Sequence, residues 1–387
     1  MIEKKLGRPT WVEIDLDAIT HNLQQFRGIL PASVAIIGCI KANAYGHGLL
    51  PVARLLAEKG IDMLAVGNVN EGVRLRRSGI ATPIKVFGNT LPDTARLFAE
   101  HDLMPTFFTP QDADGYMKVL GPNVPLRVWI KVETGLARLG ILPQDVIHVV
   151  QKALDETRYQ IIGLYTHLGS RAGAKDKSDA ESQWRCFRAL LDKLESMEIH
   201  IPHLQAANGA ATVCLPHTWL NTVSIGHGLY GMLQVEDAKH ELNLRPAFRA
   251  LRSRLISVAP FGEGSDIGGT IVPRQSLIGV APIGCGDGFS CRNDGCDVLV
   301  RGVRARQIGK ISLEHIRIDV TDVPNVSVGD EVTLVGRQGE DEITLEEARQ
   351  RLKAPLTEVW TAIHPFSVSY LYLREGQLAE VIDIATL

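Results

Sequence analysis

Between residue 34 and about residue 230 the chain alternates short apolar runs with longer stretches in which apolar residues recur at helical spacing, the pattern of strands followed by amphipathic helices. The strand candidates are residues 34–40, 63–66, 84–87, 104–108, 126–132, 161–165, 203–206 and 222–225. In the stretch 49–59, Leu49, Val52, Ala53, Leu55 and Leu56 fall on one helical face; in 180–197, Trp184, Phe187, Leu190, Leu191 and Leu194 do. Eight such units predict an α/β fold of the (β/α)8 TIM barrel type, in which chemistry sits at the C-terminal ends of the strands. Beyond about residue 240 the pattern changes to alternating strands broken by Gly, Pro and Asp, as in 298–303 and 326–335, with one helix opened by Thr344 and Glu347 at capping-box spacing. This predicts a mainly β domain over 243–387 after a barrel over 1–242, whose first residues can join the β domain.

Composition narrows the classes without naming one. The 387 residues are 45% hydrophobic and 22% charged, as in ordinary globular proteins. A formal net charge of -3 argues against a general nucleic-acid binder. The one basic cluster, Arg301, Arg304 and Arg306, alternates with Val303 and Ala305 like a solvated sheet face. No run reaches the length of a membrane span, and the N-terminus lacks an apolar stretch after its charges, so a cytoplasmic enzyme is expected. Six cysteines in so long a chain do not make a disulfide scaffold. Cys285, Cys291 and Cys296 lie close in sequence but lack a CxxC pair, which leaves no metal site expected.

The most telling residue is Lys41, where an apolar run ends in Ile40-Lys41-Ala42-Asn43-Ala44-Tyr45-Gly46-His47-Gly48. A lysine leaving a packed strand loses hydration, which favours its neutral amine, the form that reacts with an aldehyde cofactor. Other polar residues fall where strands should end: Lys131 and Arg138 after the fifth, His167 after the sixth, Asn208-Gly209 after the seventh, Gly226-His227 after the eighth. Glycine turns after the last two strands are where barrels bind phosphate, through exposed backbone N–H groups. Singly, these residues have ordinary readings: core histidine, surface cation, helix cap, turn.

The string from Lys41 to Gly48 closely resembles the cofactor-lysine motif of the alanine racemase family. The resemblance extends in order through Lys131 to Gly140, Thr166-His167, 207–211, 228–231, 286–288, 319–322 and 328–330. It implies pyridoxal 5'-phosphate on Lys41, its phosphate met by Tyr45 and by the backbone of Gly209 and Gly226. Arg138 would partner the cofactor's phenolic oxygen and be held by Lys131, which can be carbamylated in such enzymes; His167 would pack beside the ring. It further implies a homodimer with shared sites and an amino-acid substrate.

The resemblance fails where the second base should be. Racemisation needs a base on each face of the α-carbon, and Lys41 is one. The family's second base is a tyrosine of the β domain, whose position falls on Ile267, or on Asp266 if the register slips. Cys285 replaces the entrance tyrosine, Leu313 a methionine, and Ser224 the arginine that faces the pyridine nitrogen. A racemase or epimerase with an altered second base, from Cys285, Asp266 or His227, is the leading expectation. One-sided α-carbon chemistry (decarboxylase, aldolase or eliminase) is the alternative, prompted by His167-Leu168-Gly169-Ser170 and Cys285. A non-catalytic cofactor carrier comes last.

Overall fold

The computed structural model describes residues 6–88, 91–121, 123–169, 176–290, 295–352 and 355–382. The chain divides into two compact units. One comprises Ala18–Ala44 and Leu49–Arg245; the other takes the residues up to Asp17, Tyr45–Gly48, and the chain from Pro246 onward. The division thus falls three residues beyond the 242/243 boundary expected, and a four-residue piece after Lys41 groups with the β unit.

The barrel unit is built from eight parallel strands. After β1 (Thr10–Asp15), which belongs to the other unit, come β2 (Ala35–Cys39), β3 (Met63–Val66), β4 (Ile84–Val86), β5 (Thr106–Phe107), β6 (Leu126–Lys131), β7 (Tyr159–Tyr165), β8 (His203–Asn208) and β9 (Thr222–Ile225). Their order is β4-β3-β2-β9-β8-β7-β6-β5. The ring closes where Lys85 of β4 bridges to Met104 just ahead of β5. Strands such as β3 and β4 are buried along their whole length, as expected of parallel strands covered on both faces. Helices return the chain between strands. Leu49–Glu58 buries Leu49, Val52, Ala53, Leu55 and Leu56, and Ser178–Ser196 buries Phe187, Leu190, Leu191 and Leu194, the faces read from spacing.

In the β unit, β1 pairs antiparallel with β10 (Phe248–Arg254) and parallel with Ser369–Arg374, so residues 10–15 are built into the C-terminal sheet. Two expectations change in this unit. Residues 326–330 form a turn, closed by the Asp330 carboxylate on the Ser327 N–H (2.9 Å), and the strand is Glu331–Gln338. Among the described residues two α-helices interrupt the sheet rather than one, Leu345–Leu352 and Leu356–Thr361. Thr344 Oγ1 accepts from the Glu347 N–H at 3.0 Å, while the Glu347 carboxylate pairs with Arg304 and Arg351. Arg301, Arg304 and Arg306 all sit in ion pairs, with Asp330, Asp341 and Glu347, and Asp297.

Candidate active site

Lys41 follows β2 by two residues and starts a tight turn, Lys41–Tyr45. Ala42, Asn43, Ala44 and Tyr45 all have φ of 53–54°. A left-handed run of four non-glycine residues costs roughly 1–2 kcal/mol per residue, so something must hold it. Glu71 accepts from the Asn43 N–H (2.9 Å) with one oxygen and from the Gly67 N–H (2.8 Å) with the other. The Asn43 side chain accepts from the Leu49 N–H at 2.8 Å, starting the next helix. Sequence reasoning missed Glu71, since nothing local links it to a turn 28 residues away.

The loop after β6 is a second braced segment. Lys131 is buried, and its Nζ donates to the carbonyls of Arg138 (2.7 Å) and Leu139 (2.6 Å). Burial, then the Arg138 charge, bring its pKa down to about 8, with Glu133 opposing. Burial pushes the Glu133 carboxyl up, but backbone N–H groups of Gly135, Arg138, Ala137 and Leu136 outweigh it and hold it below the usual range. Lys131 thus meets Arg138 at its backbone carbonyl.

His167 stands two residues past β7, half-buried. Desolvation, followed by the charges of Arg138, Lys41, Lys131 and Lys85, brings its pKa down to about 3, so the ring is neutral at physiological pH. Ser170, the end of the His-x-Gly-Ser string, lies outside the described residues, as does Cys291. Asn208 ends β8 and caps the helix Gly209–Cys214: its Oδ1 accepts from the Ala211 N–H (3.0 Å) and its Nδ2 donates to the Leu168 carbonyl (2.9 Å). Ser224, buried in β9, has its Oγ 3.1 Å from the Cys39 Sγ. Gly226 follows with φ -111° and ψ -95°. His227 is exposed by surface area yet crowded by protein; that crowding, then the Lys41 charge, keep its pKa below the ordinary histidine value.

In the β unit, Tyr45 is buried, and its carbonyl lies 2.9 Å from His47 Nδ1. Cys285 is exposed in a turn pinned by its own N–H on the Ser312 carbonyl (3.0 Å) and the Gly286 N–H on the Leu313 carbonyl (2.9 Å). Leu313 is exposed. Asp266 is exposed and accepts from the Gly269 N–H at 2.6 Å, closing the hairpin turned by Gly268 and Gly269. Ile267 departs from expectation. Its side chain is 4% exposed and packs against Val272, Ile278 and Ile308, so it serves the β unit's core rather than a substrate.

A closed barrel that presents a lysine, a neutral histidine and a braced arginine at its strand ends, in a chain that continues into a mainly β unit, defines a class of barrel enzymes working through a lysine amine. Residues 14–234 match the family model "Alanine racemase, N-terminal domain" and residues 249–370 match "Alanine racemase, C-terminal domain". The chain is 37% identical over 356 residues to an alanine racemase of Halothermothrix orenii, covering 90% of this chain and 93% of that one. It is 36% identical over 355 residues to one from Methanococcus maripaludis, covering 90% and 94%. The crystal structure of alanine racemase from Bacillus anthracis with bound L-Ala-P superposes with a TM-score of 0.90 at 30% identity, covering 98% of each chain. The chain belongs to the alanine racemase family, whose enzymes use pyridoxal 5'-phosphate.

The barrel's own residues fit that cofactor. Lys41 would provide the amine, neutral His167 a ring face without a competing charge, and Ser224 a hydroxyl. The helix opening at Gly209 offers first-turn N–H groups, and a Cβ added at Gly209 would meet nothing nearer than 3.7 Å, leaving room for close backbone approach.

Proposed function

We propose that the protein is a pyridoxal-phosphate-dependent amino-acid racemase or epimerase with an altered second base. It acts as a homodimer in which each β unit completes the partner's site. The observation that carries the reading is Lys41 at the end of β2, held by a strained turn, in the barrel that also presents Lys131, Arg138, His167 and Asn208 at its strand ends.

Bound pyridoxal phosphate supplies an electron sink for the substrate's α-carbon. The chain supplies the rest. Lys41 holds the cofactor and moves a proton on one face of the α-carbon. Arg138, fixed through Lys131, would meet the cofactor's phenolic oxygen and Ser224 its ring nitrogen; the backbone at Gly209 and Gly226, with Tyr45, would receive the phosphate. His167, uncharged at neutral pH, would lie beside the ring, where it would set no competing cation against the electron sink. The second proton carrier comes from Cys285 or Asp266 of the β unit, or from His227; Ile267, packed in the core, is replaced in that role.

Incubation in deuterium oxide with a panel of L- and D-amino acids tests this. Exchange of the α-proton with inversion is expected; exchange or product formation without inversion would assign one-sided chemistry instead. Sedimentation should show a dimer, and a monomer with full activity would remove the shared-site part.

A further inference from the structure

Among the described residues, Lys85 in the middle of β4 is wholly buried, and its Nζ makes no hydrogen bond. Its surroundings are built around it. Nζ lies 3.2 Å from the centre of the Tyr165 ring, 3.7 Å from that of Trp129 and 5.0 Å from that of Phe87. Trp129 can occupy the barrel interior because residue 163 is glycine: a Cβ there would stand 2.2 Å from the indole. If Lys85 only filled space, leucine or methionine would do so without desolvating an amine, so its presence is not explained by stability.

Burial favours the neutral amine, whereas aromatic faces stabilise only the ammonium. The charge of Lys131 further disfavours the ammonium and Cys39 favours it, and the midpoint lies well below the ordinary lysine range. Cys39, Ala65 and Lys85 are register neighbours on β2, β3 and β4, so their side chains share one face of the sheet. The Cys39 thiol feels Lys41 and Lys85, and its sulfur is 3.1 Å from the Ser224 hydroxyl. His167 also feels Lys85, with Arg138, Lys41 and Lys131.

We propose that Lys85 is a positioning residue of the Lys41 site, a caged amine whose charge sets the direction of the Cys39–Ser224 hydrogen bond. An ammonium at Lys85 draws the sulfur's lone pairs, so the thiol donates to Ser224 and the Ser224 proton is free to donate elsewhere. A neutral amine lets Ser224 donate to the sulfur instead. The proposal rests on the pyridoxal-phosphate reading above, since Ser224 is the hydroxyl expected at the cofactor's ring nitrogen, where the resemblance expects an arginine.

The test follows the absorbance of bound pyridoxal phosphate against pH in the wild type, Lys85→Met, Cys39→Ala and the double variant. Redirecting one hydrogen bond of about 1 kcal/mol moves a titration by roughly 0.7 pH unit. Lys85→Met should shift the spectral midpoint by about that amount, Cys39→Ala should move it too, and the double variant should shift no further than Cys39→Ala alone, because the effect passes through the thiol. Independently, in ¹³C-lysine-labelled protein without cofactor, the Lys85 Cε signal should titrate well below an ordinary lysine, because burial disfavours its ammonium. Superimposable profiles with cofactor bound on Lys41, even with a raised melting temperature, would overturn the proposal and leave the cofactor reading intact. So would a Lys85 signal that titrates like a surface lysine. Failure of all four proteins to bind the cofactor would overturn both. If Lys85→Met does not fold, Cys39→Ala and the labelled wild type still decide.

Discussion

In the barrel, Lys41, Lys131 and Asn208 stand at or just past the ends of parallel strands and are linked to neighbouring segments, whereas in the β unit Asp266 and Ile267 stand on a two-glycine hairpin that serves its own sheet. The barrel's polar residues are costly where they are: a left-handed turn at 42–45, a buried Lys131 with a pKa near 8, a histidine held neutral. The β unit's residues at 265–270 carry no such cost; Asp266 closes a turn and Ile267 fills a core. Strain and desolvation that persist in a fold mark positions held for chemistry. By that measure the barrel's polar positions are held at a cost that chemistry would explain, whereas Asp266 and Ile267 serve the fold of their own unit.

The largest effect that would break this contrast is at Lys41. Lys41→Ala should lower α-proton exchange by ~10³-fold or more, as expected for loss of an acid-base group that also holds the cofactor. Borohydride trapping followed by peptide mapping should find no label on residue 41 of the variant and stoichiometric label in the wild type. A label on another lysine of the wild type would sink the assignment.

Lys131 comes next. Replacing it by methionine keeps the volume but removes two hydrogen bonds from a charged donor to the 138–139 carbonyls, each worth about 1.5–3 kcal/mol. Pyridoxal phosphate affinity, measured by fluorescence titration, should fall by about 10-fold or more, with the melting temperature of the cofactor-free protein changed less. Unchanged affinity would show that the loop is held without it.

How much of this was legible in the sequence depends on whether the cause was local. Strand positions such as 63–66 and 222–225 follow from apolar runs, and Lys41 announces itself because a run stops at a charge. The left-handed turn does not, because Ala42, Asn43 and Ala44 carry no glycine signal and the Glu71 carboxylate that holds them lies on another helix. Lys85 carries no signal of its own within the run 84–87, because its cage forms only when β6 and β7 bring Trp129, Gly163 and Tyr165 around it. Ile267 illustrates the opposite error: alignment with a tyrosine points it toward substrate, while its apolar side chain follows the hydrophobic effect into the core.

That placement makes Ile267 the sharpest probe of the β unit. Tyrosine at 267 must enter a site packed by Val272, Ile278 and Ile308, and overpacking a core costs about 1–3 kcal/mol. The expected outcome of Ile267→Tyr is a melting temperature lower by roughly 2–6 °C and no gain in alanine racemisation. A gain in racemisation at unchanged stability would return residue 267 to the site and erase the contrast between the units.

The smallest effect expected is the pH dependence due to His167. Its native pKa of about 3 lies below the ordinary 6.5, so the unfolded chain binds the proton more readily. The sign follows: stability conferred by the neutral ring is complete above about pH 6.5, falls as pH drops below that value, and stops falling near pH 3, where the native ring also protonates. Because the ring is half-buried, solvent screens part of this cost. His167→Gln, which cannot take up the proton, should therefore lose less melting temperature than the wild type between pH 6.5 and 4, by roughly 2–4 °C. Parallel curves would mean that the ring is already charged in the fold, which would place a cation beside the cofactor and remove one of the desolvation costs that set the barrel apart from the β unit.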